Sequence, residues 1–145
     1  MINAHHFFTD TLAKSAEIME AVNGNVFIFP CDEELDSNPL NPYIVVANRG
    51  TENMVVCKDG DSFDGSSDTT TVEIVVCGKS DDEVVFVSQL VREKVADAMN
   101  SFGPEEEGIY GWCLEGSDFK DSGIAFNDYT LNRSCILTYR VEISK

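Results

Sequence analysis

Apolar and polar residues alternate most clearly from Thr70 to Cys77, where Thr-Thr-Val-Glu-Ile-Val-Val-Cys puts Val72, Ile74 and Val76 on one face of a β-branched strand. Immediately afterwards the period changes. Ser80-Asp81-Asp82-Glu83 has the spacing of a capping box, in which the Ser80 hydroxyl accepts from the Glu83 N–H and the Glu83 carboxylate reaches back to the Ser80 N–H. The apolar positions Val84, Val87, Val91, Val95, Ala98 and Phe102 then recur every three or four residues, which predicts one long amphipathic helix. Gly103-Pro104 ends it, since glycine accepts the left-handed position and proline cannot continue the ladder. At 1.5 Å per residue the helix is about 33 Å long, enough to lie across a small sheet.

Weaker periodic segments flank this pair. Ala4 to Val22 carries Phe8, Leu12, Ala16 (or Ser15) and Met19 on one stripe, with Asn23-Gly24 as a stop, and predicts an N-terminal helix. Asn25 to Phe29 is an apolar run broken by Pro30 and predicts a short strand; Cys31 to Pro42 is rich in acids and Asn-Pro steps and predicts a connection. Tyr43 to Asn48 predicts a strand, with Thr51 to Lys58 pairing back on it across Asn48-Arg49-Gly50. Lys58 to Asp68 has almost nothing to bury and predicts a mobile acidic loop. Beyond the long helix, Gly108 to Leu114 predicts a strand, Glu115 to Gly123 a polar connection and Ile124 to Phe126 a short strand. Ser134 to Ile143 predicts a firm strand, with Cys135, Leu137, Tyr139, Val141 and Ile143 facing one way. The expected architecture is a single α+β domain over residues 1–145: a mostly antiparallel sheet, with the N-terminal helix and the long helix packed on one face.

Charge narrows the functions. Twenty-six acidic against ten basic residues give a net charge of −16, the wrong sign for gripping phosphates by counterion release, so specific nucleic-acid binding is not expected. The same surplus keeps a monomer soluble, the ordinary role of such a surface, and it would also line the bore of any ring built from the chain with negative potential, across which DNA slides without sticking. No apolar run is long enough for a membrane span and no basic n-region opens the chain, so a soluble protein made in a cytosol is expected. The five cysteines at 31, 57, 77, 113 and 135 are odd in number and widely spaced, which favours free thiols.

The usual chemical motifs are missing. Asp59, Asp61, Asp64 and Asp68 invite a calcium reading, but an EF-hand template begun at Asp59 puts Phe63 at a ligand position, Asp64 at the sharp-turn glycine and Thr70 at the bidentate glutamate. His5 and His6, the only histidines, would point about 100° apart on a helix. No nucleophile elbow, Walker loop, dinucleotide fingerprint or zinc spacing occurs. No metal, cofactor or catalytic residue is therefore expected. Interface anchors are a better fit: Phe63 is an apolar ring in a polar segment, and Phe119, Tyr110 and Trp112 are further aromatic candidates, although core packing suits Trp112 better than an interface does.

The order of elements resembles that of bacteriophage tail terminator and tail completion (head–tail joining) proteins. The resemblance is carried by the strand Pro42-Tyr43-Ile44-Val45-Val46, a polar loop, the run Asp68-Thr69-Thr70-Thr71-Val72-Glu73-Ile74 leading into a long helix with Val91-Arg92, and a closing strand with Tyr139. It implies a non-enzymatic virion subunit, assembled in the host cytoplasm as a six-membered ring that caps the tail tube protein and joins it to a neck or connector protein, with DNA passing through. On this reading Phe63, Asp61, Asp64, Asp68, Tyr43 and Phe119 are the expected interface residues. A monomeric or dimeric adaptor that binds a partner protein through its acidic loop is the alternative.

Overall fold

A computed structural model describes residues 4–29, 42–58, 62–101, 113–128 and 131–144. Its strands are Val26–Ile28 (β1), Tyr43–Lys58 (β2), Ser62–Gly78 (β3), Cys113–Phe126 (β4) and Arg133–Ser144 (β5), and its helices are His5–Lys14 (α1), Ala16–Ala21 (α2) and Asp81–Asn100 (α3). The strands form one sheet in the order β1-β2-β3-β5-β4. β1 runs parallel to β2, and every other pairing is antiparallel. This is the α+β arrangement that the periodicity predicts.

Alternation fixes which face is covered. Ile44 and Val46 of β2, Val72, Ile74 and Val76 of β3, and Cys135, Leu137, Tyr139, Val141 and Ile143 of β5 share one core with Phe8 and Leu12 of α1 and Val84, Val87, Val91 and Val95 of α3. The two helices thus share the sheet face that these strand residues line. On the opposite face, Tyr43 and Cys77 are buried in a small cluster with half-buried Phe27, Val45 and Val75.

The start of α3 follows its sequence signature with one change. Ser80 Oγ accepts from the Glu83 N–H at 3.2 Å, but Glu83 Oε1 accepts from the N–H of Lys79, at 3.1 Å, one residue earlier than the capping box expects. Gly78 leaves room for that carboxylate, because a Cβ there would stand 2.6 Å from Glu83 Oε1. The N-terminal helix is two helices. Ser15 is extended (φ −86°, ψ 109°) and its hydroxyl accepts from the Ile18 N–H at 3.3 Å, so a residue read as part of the stripe restarts the helix as an N-cap.

Three expected breaks are strand. Asn48-Arg49-Gly50 does not turn the chain: β2 continues through it, with Asn48 opposite Val72 and Gly50 opposite Thr71, so Arg49 is the extra residue of a β-bulge. Gly50, at φ +125°, supplies the unusual backbone angle, and its N–H donates to Asn48 Oδ1 at 3.2 Å. Asp121-Ser122-Gly123 repeats the device inside β4, with Gly123 at φ +74° and its N–H donating to Asp121 Oδ1 at 2.7 Å. The expected connection from Glu115 to Gly123 is therefore the middle of an edge strand, which needs one apolar face at most. Lastly, Ser62 to Asp68, where composition predicts a loop, is the first part of β3, paired with β2 from Lys58 to Asn53. Backbone hydrogen bonds hold such a ribbon whatever its side chains.

The expected end of the long helix at Phe102 to Pro104, the connection from 31 to 41 and the strand residues 108–112 lie outside the described residues. Among the described residues no helix is long and apolar enough to cross a membrane, and Cys77 and Cys135 are both buried.

Candidate assembly surface

The β2–β3 hairpin outgrows the sheet. β5 accompanies β3 only from Gly78 to Asp68, and β1 accompanies β2 only from Ile44 to Val46. From Asn53 to Lys58 and from Ser62 to Ser67 the two strands have only each other among the described residues, forming a ribbon that projects past the Ile143 end of the sheet.

β4 is the sheet's other irregular feature. It pairs with β5 along 14 residues and has no neighbour on its outer side among the described residues. Between β4 and α3 runs a groove of about 260 Å³, lined by Val84, Val85, Arg92, Asp121, Ile124 and Leu137. Its lips are apolar and exposed, with Val85 at 43% and Ile124 at 42%. Phe86 (57%), Phe126 (51%) and Leu131 (60%) are further exposed apolar side chains. Arg133 ties this end together: its Nε lies 2.6 Å from Asp81, its Nη1 donates to the Lys79 carbonyl at 2.6 Å, and its guanidinium covers the Phe126 ring at 5.0 Å.

The groove's polar groups are fixed from below. The Cys135 thiol donates to Asp121 Oδ1 at 3.0 Å. Burial, and then this carboxylate, push the thiol up to about 11, so it stays protonated and unreactive at neutral pH. Ser88 and Ser122 oppose part of that rise, although the buried Ser88 hydroxyl has no partner at full hydrogen-bond distance. In return, the thiol and the Gly123 N–H hold the Asp121 carboxyl below its usual range. Deeper in, Phe8, Tyr139 and Phe119 stack with centroids 5.2 and 5.0 Å apart, and Arg92 sits over Phe119 at 4.5 Å. Burial pushes the Tyr139 hydroxyl up to about 12.

The residues expected at an interface fall in different places. Phe119 is half-buried on Tyr139 under Arg92, Tyr43 is buried beside Cys77, and Asp68 sits where the ribbon leaves the sheet, opposite Asn53 and Ile143. The backbones of Phe63 and Asp64 lie in the ribbon, while Asp61, Tyr110 and Trp112 lie outside the described residues. Sequence reasoning missed Val85, Phe86, Ile124 and Phe126. A signal existed: Val84-Val85-Phe86-Val87 is four consecutive apolar residues on a helix whose stripe has room for two, so two must face outward.

His5 is half-buried against Asn48, and burial followed by the neighbouring His6 charge lowers its pKa. Among the described residues no group of three or more His, Cys, Asp and Glu side chains is placed to hold a metal ion.

Neither protein-family models nor curated proteins match the chain. Solved structures do match its fold. A chain from the virion of a native gene transfer agent particle superposes with a TM-score of 0.56 at 11% identity, covering 98% of this chain and 95% of that one. At that identity the likeness is one of fold, and it extends over both molecules almost end to end.

Proposed function

We propose that this chain is a structural subunit of a phage-like virion, with no enzymatic activity, and that it forms a ring at the tail or neck. The observation that carries this reading is the combination, in one subunit, of a two-stranded ribbon and a long sheet edge that have no further strand beside them among the described residues. An isolated hairpin is marginally stable in water, and an unpaired edge is a template for another strand, so both are completed by assembly. Donor and acceptor are different surfaces, which makes the contact heterologous, the kind that builds a ring when its rotation closes. The likeness to a gene transfer agent virion chain supports the virion part of the reading.

The finer position is that of a tail terminator or head–tail joining protein: a homohexamer that caps the tail tube and presents its other side to the neck. The element order described above supports it, as does the charge of −16, which suits a bore that must let DNA pass. The test is native mass spectrometry of the purified chain. Six copies of 16.0 kDa give about 96 kDa, and removal of residues 60–67 should leave a folded subunit that no longer assembles. A wild-type protein that stays monomeric or dimeric at every concentration refutes the ring.

A further inference from the structure

We infer that Asn48 is a proton-operated latch between the start of α1 and the β2 bulge, its side-chain amide holding both only while the His5 ring is neutral. Both ends of the amide are engaged. Its Oδ1 accepts from the Gly50 N–H at 3.2 Å, the bond that closes the bulge, and this turns Nδ2 toward His5 Nδ1 at 3.5 Å. An amide NH2 only donates, so His5 Nδ1 is the acceptor and the proton of the neutral ring sits on Nε2.

Protonation reverses that geometry. Once Nδ1 takes up a solvent proton it faces the amide donors with a donor of its own, and a flip of the Asn48 amide is needed to restore a bond. The flip brings Oδ1 to the imidazolium and takes it from the Gly50 N–H. In acid, α1 and the bulge therefore compete for one oxygen, whereas at neutral pH they share the amide. The charge that acts on His5 is that of His6, whose ring centroid lies 4.4 Å away. The other charged groups around α1 are engaged elsewhere or stand apart. Asp10 and Lys14 lie farther along the helix, β1 carries no titratable side chain, and Glu17 of α2 pairs with Lys94 of α3 at 3.2 Å. On β2, Arg49 pairs with Glu73 at 3.3 Å and Glu52 is exposed. Because burial and then His6 lower the folded pKa of His5, the latch's contribution is complete above pH 6.5 and fades as the pH falls through the lower folded value. The bulge lies where β2 passes toward the ribbon that runs on from Asn53, so acid loosens the root of that ribbon.

The test is NMR of the full chain, titrated from about pH 8 to about pH 5, the range in which imidazole changes charge. Long-range proton–nitrogen spectra of the His5 ring should place its proton on Nε2 at neutral pH, and the Gly50 amide resonance should move with the His5 midpoint. Asn48→Asp offers an oxygen to each donor, so it should carry the His5 midpoint from below 6.5 to above it. His5→Gln accepts from the amide without titrating; it should leave Gly50 unresponsive, and it decides the matter if Asn48→Asp misfolds. A proton on Nδ1 at neutral pH, a Gly50 amide that ignores the His5 titration, or one that still titrates in His5→Gln overturns the latch. A folded Asn48→Asp chain whose His5 midpoint stays below 6.5 does the same.

Discussion

The Cys135 thiol and the Asp121 carboxylate meet at 3.0 Å across a β-bulge, and the same oxygen receives the Gly123 N–H at 2.7 Å. One carboxylate therefore holds both the irregular turn of an edge strand and the protonation state of a buried cysteine beneath it.

Asp121→Ala removes the one acceptor that both donors share, and because the site is solvent-facing its cost should be modest, about 1 kcal/mol by urea denaturation. The Cys135 pKa should fall partway from about 11, because burial, its largest cause, remains; alkylation of Cys135 followed by peptide mass mapping should be faster than in the wild type. The folded carboxyl lies below its ordinary 3.8, so its contribution is present above that pH and fades as the pH drops through the lower folded value. The difference between the two proteins should accordingly shrink below about pH 4. Equal alkylation rates would contradict the hydrogen bond.

The alkaline limb has the opposite sign. Cys135 rises from 9.0 to about 11 and Tyr139 from 10.0 to about 12, so the fold favours the protonated form of each. That stability is complete below the unfolded values and is lost as the pH climbs through the folded ones, from about 9 to 12. Tyr139→Phe keeps the stacking with Phe8 and Phe119 and removes a buried hydroxyl that has no hydrogen-bond partner among the described residues. Its neutral-pH stability should match or exceed the wild type within about 1 kcal/mol, with a shallower loss of Tm above about pH 10 by scanning calorimetry.

At the start of α3, Ser80→Ala should cost about 1 kcal/mol, the usual loss for an N-cap. Gly78→Ala tests the second half of the cap: the new methyl forces Glu83 Oε1 away from the Lys79 N–H, and Val84 Cγ2, at 3.2 Å, resists as well. A comparable loss is expected. The double variant should cost less than the sum of the two if the bonds act as one cap, which denaturant midpoints will show.

Because the subunit carries a charge of −16, screening should favour association. Raising salt from about 0.05 M to about 0.5 M should increase the assembled fraction in sedimentation velocity. A falling fraction would mean that ion pairs, rather than apolar and backbone contacts, hold the copies together.

Elements with a strong period were legible from sequence: the alternation at Val72, Ile74 and Val76, the Ser80 cap and the inward row from Cys135 to Ile143 all stand where the pattern puts them. The failures share one physical cause. Asn48-Arg49-Gly50 and Asp121-Ser122-Gly123 have the chemistry of turns, an amide or carboxylate oxygen capturing a glycine N–H two residues on, and a bulge uses that same chemistry without reversing the chain. Only the partner strand decides between the two outcomes. The polar edge strand β4 and the ribbon escaped for a related reason, since their order comes from backbone pairing that leaves no hydrophobic trace. The exposed Val85 and Phe86 were hidden by their neighbours Val84 and Val87, which account for the stripe without them.

The ribbon departs at one pole of the sheet and the groove opens at the other, so the subunit has a built-in head and tail. A contact that joined one pole to the other would run head to tail, and could pass from copy to copy in one sense only.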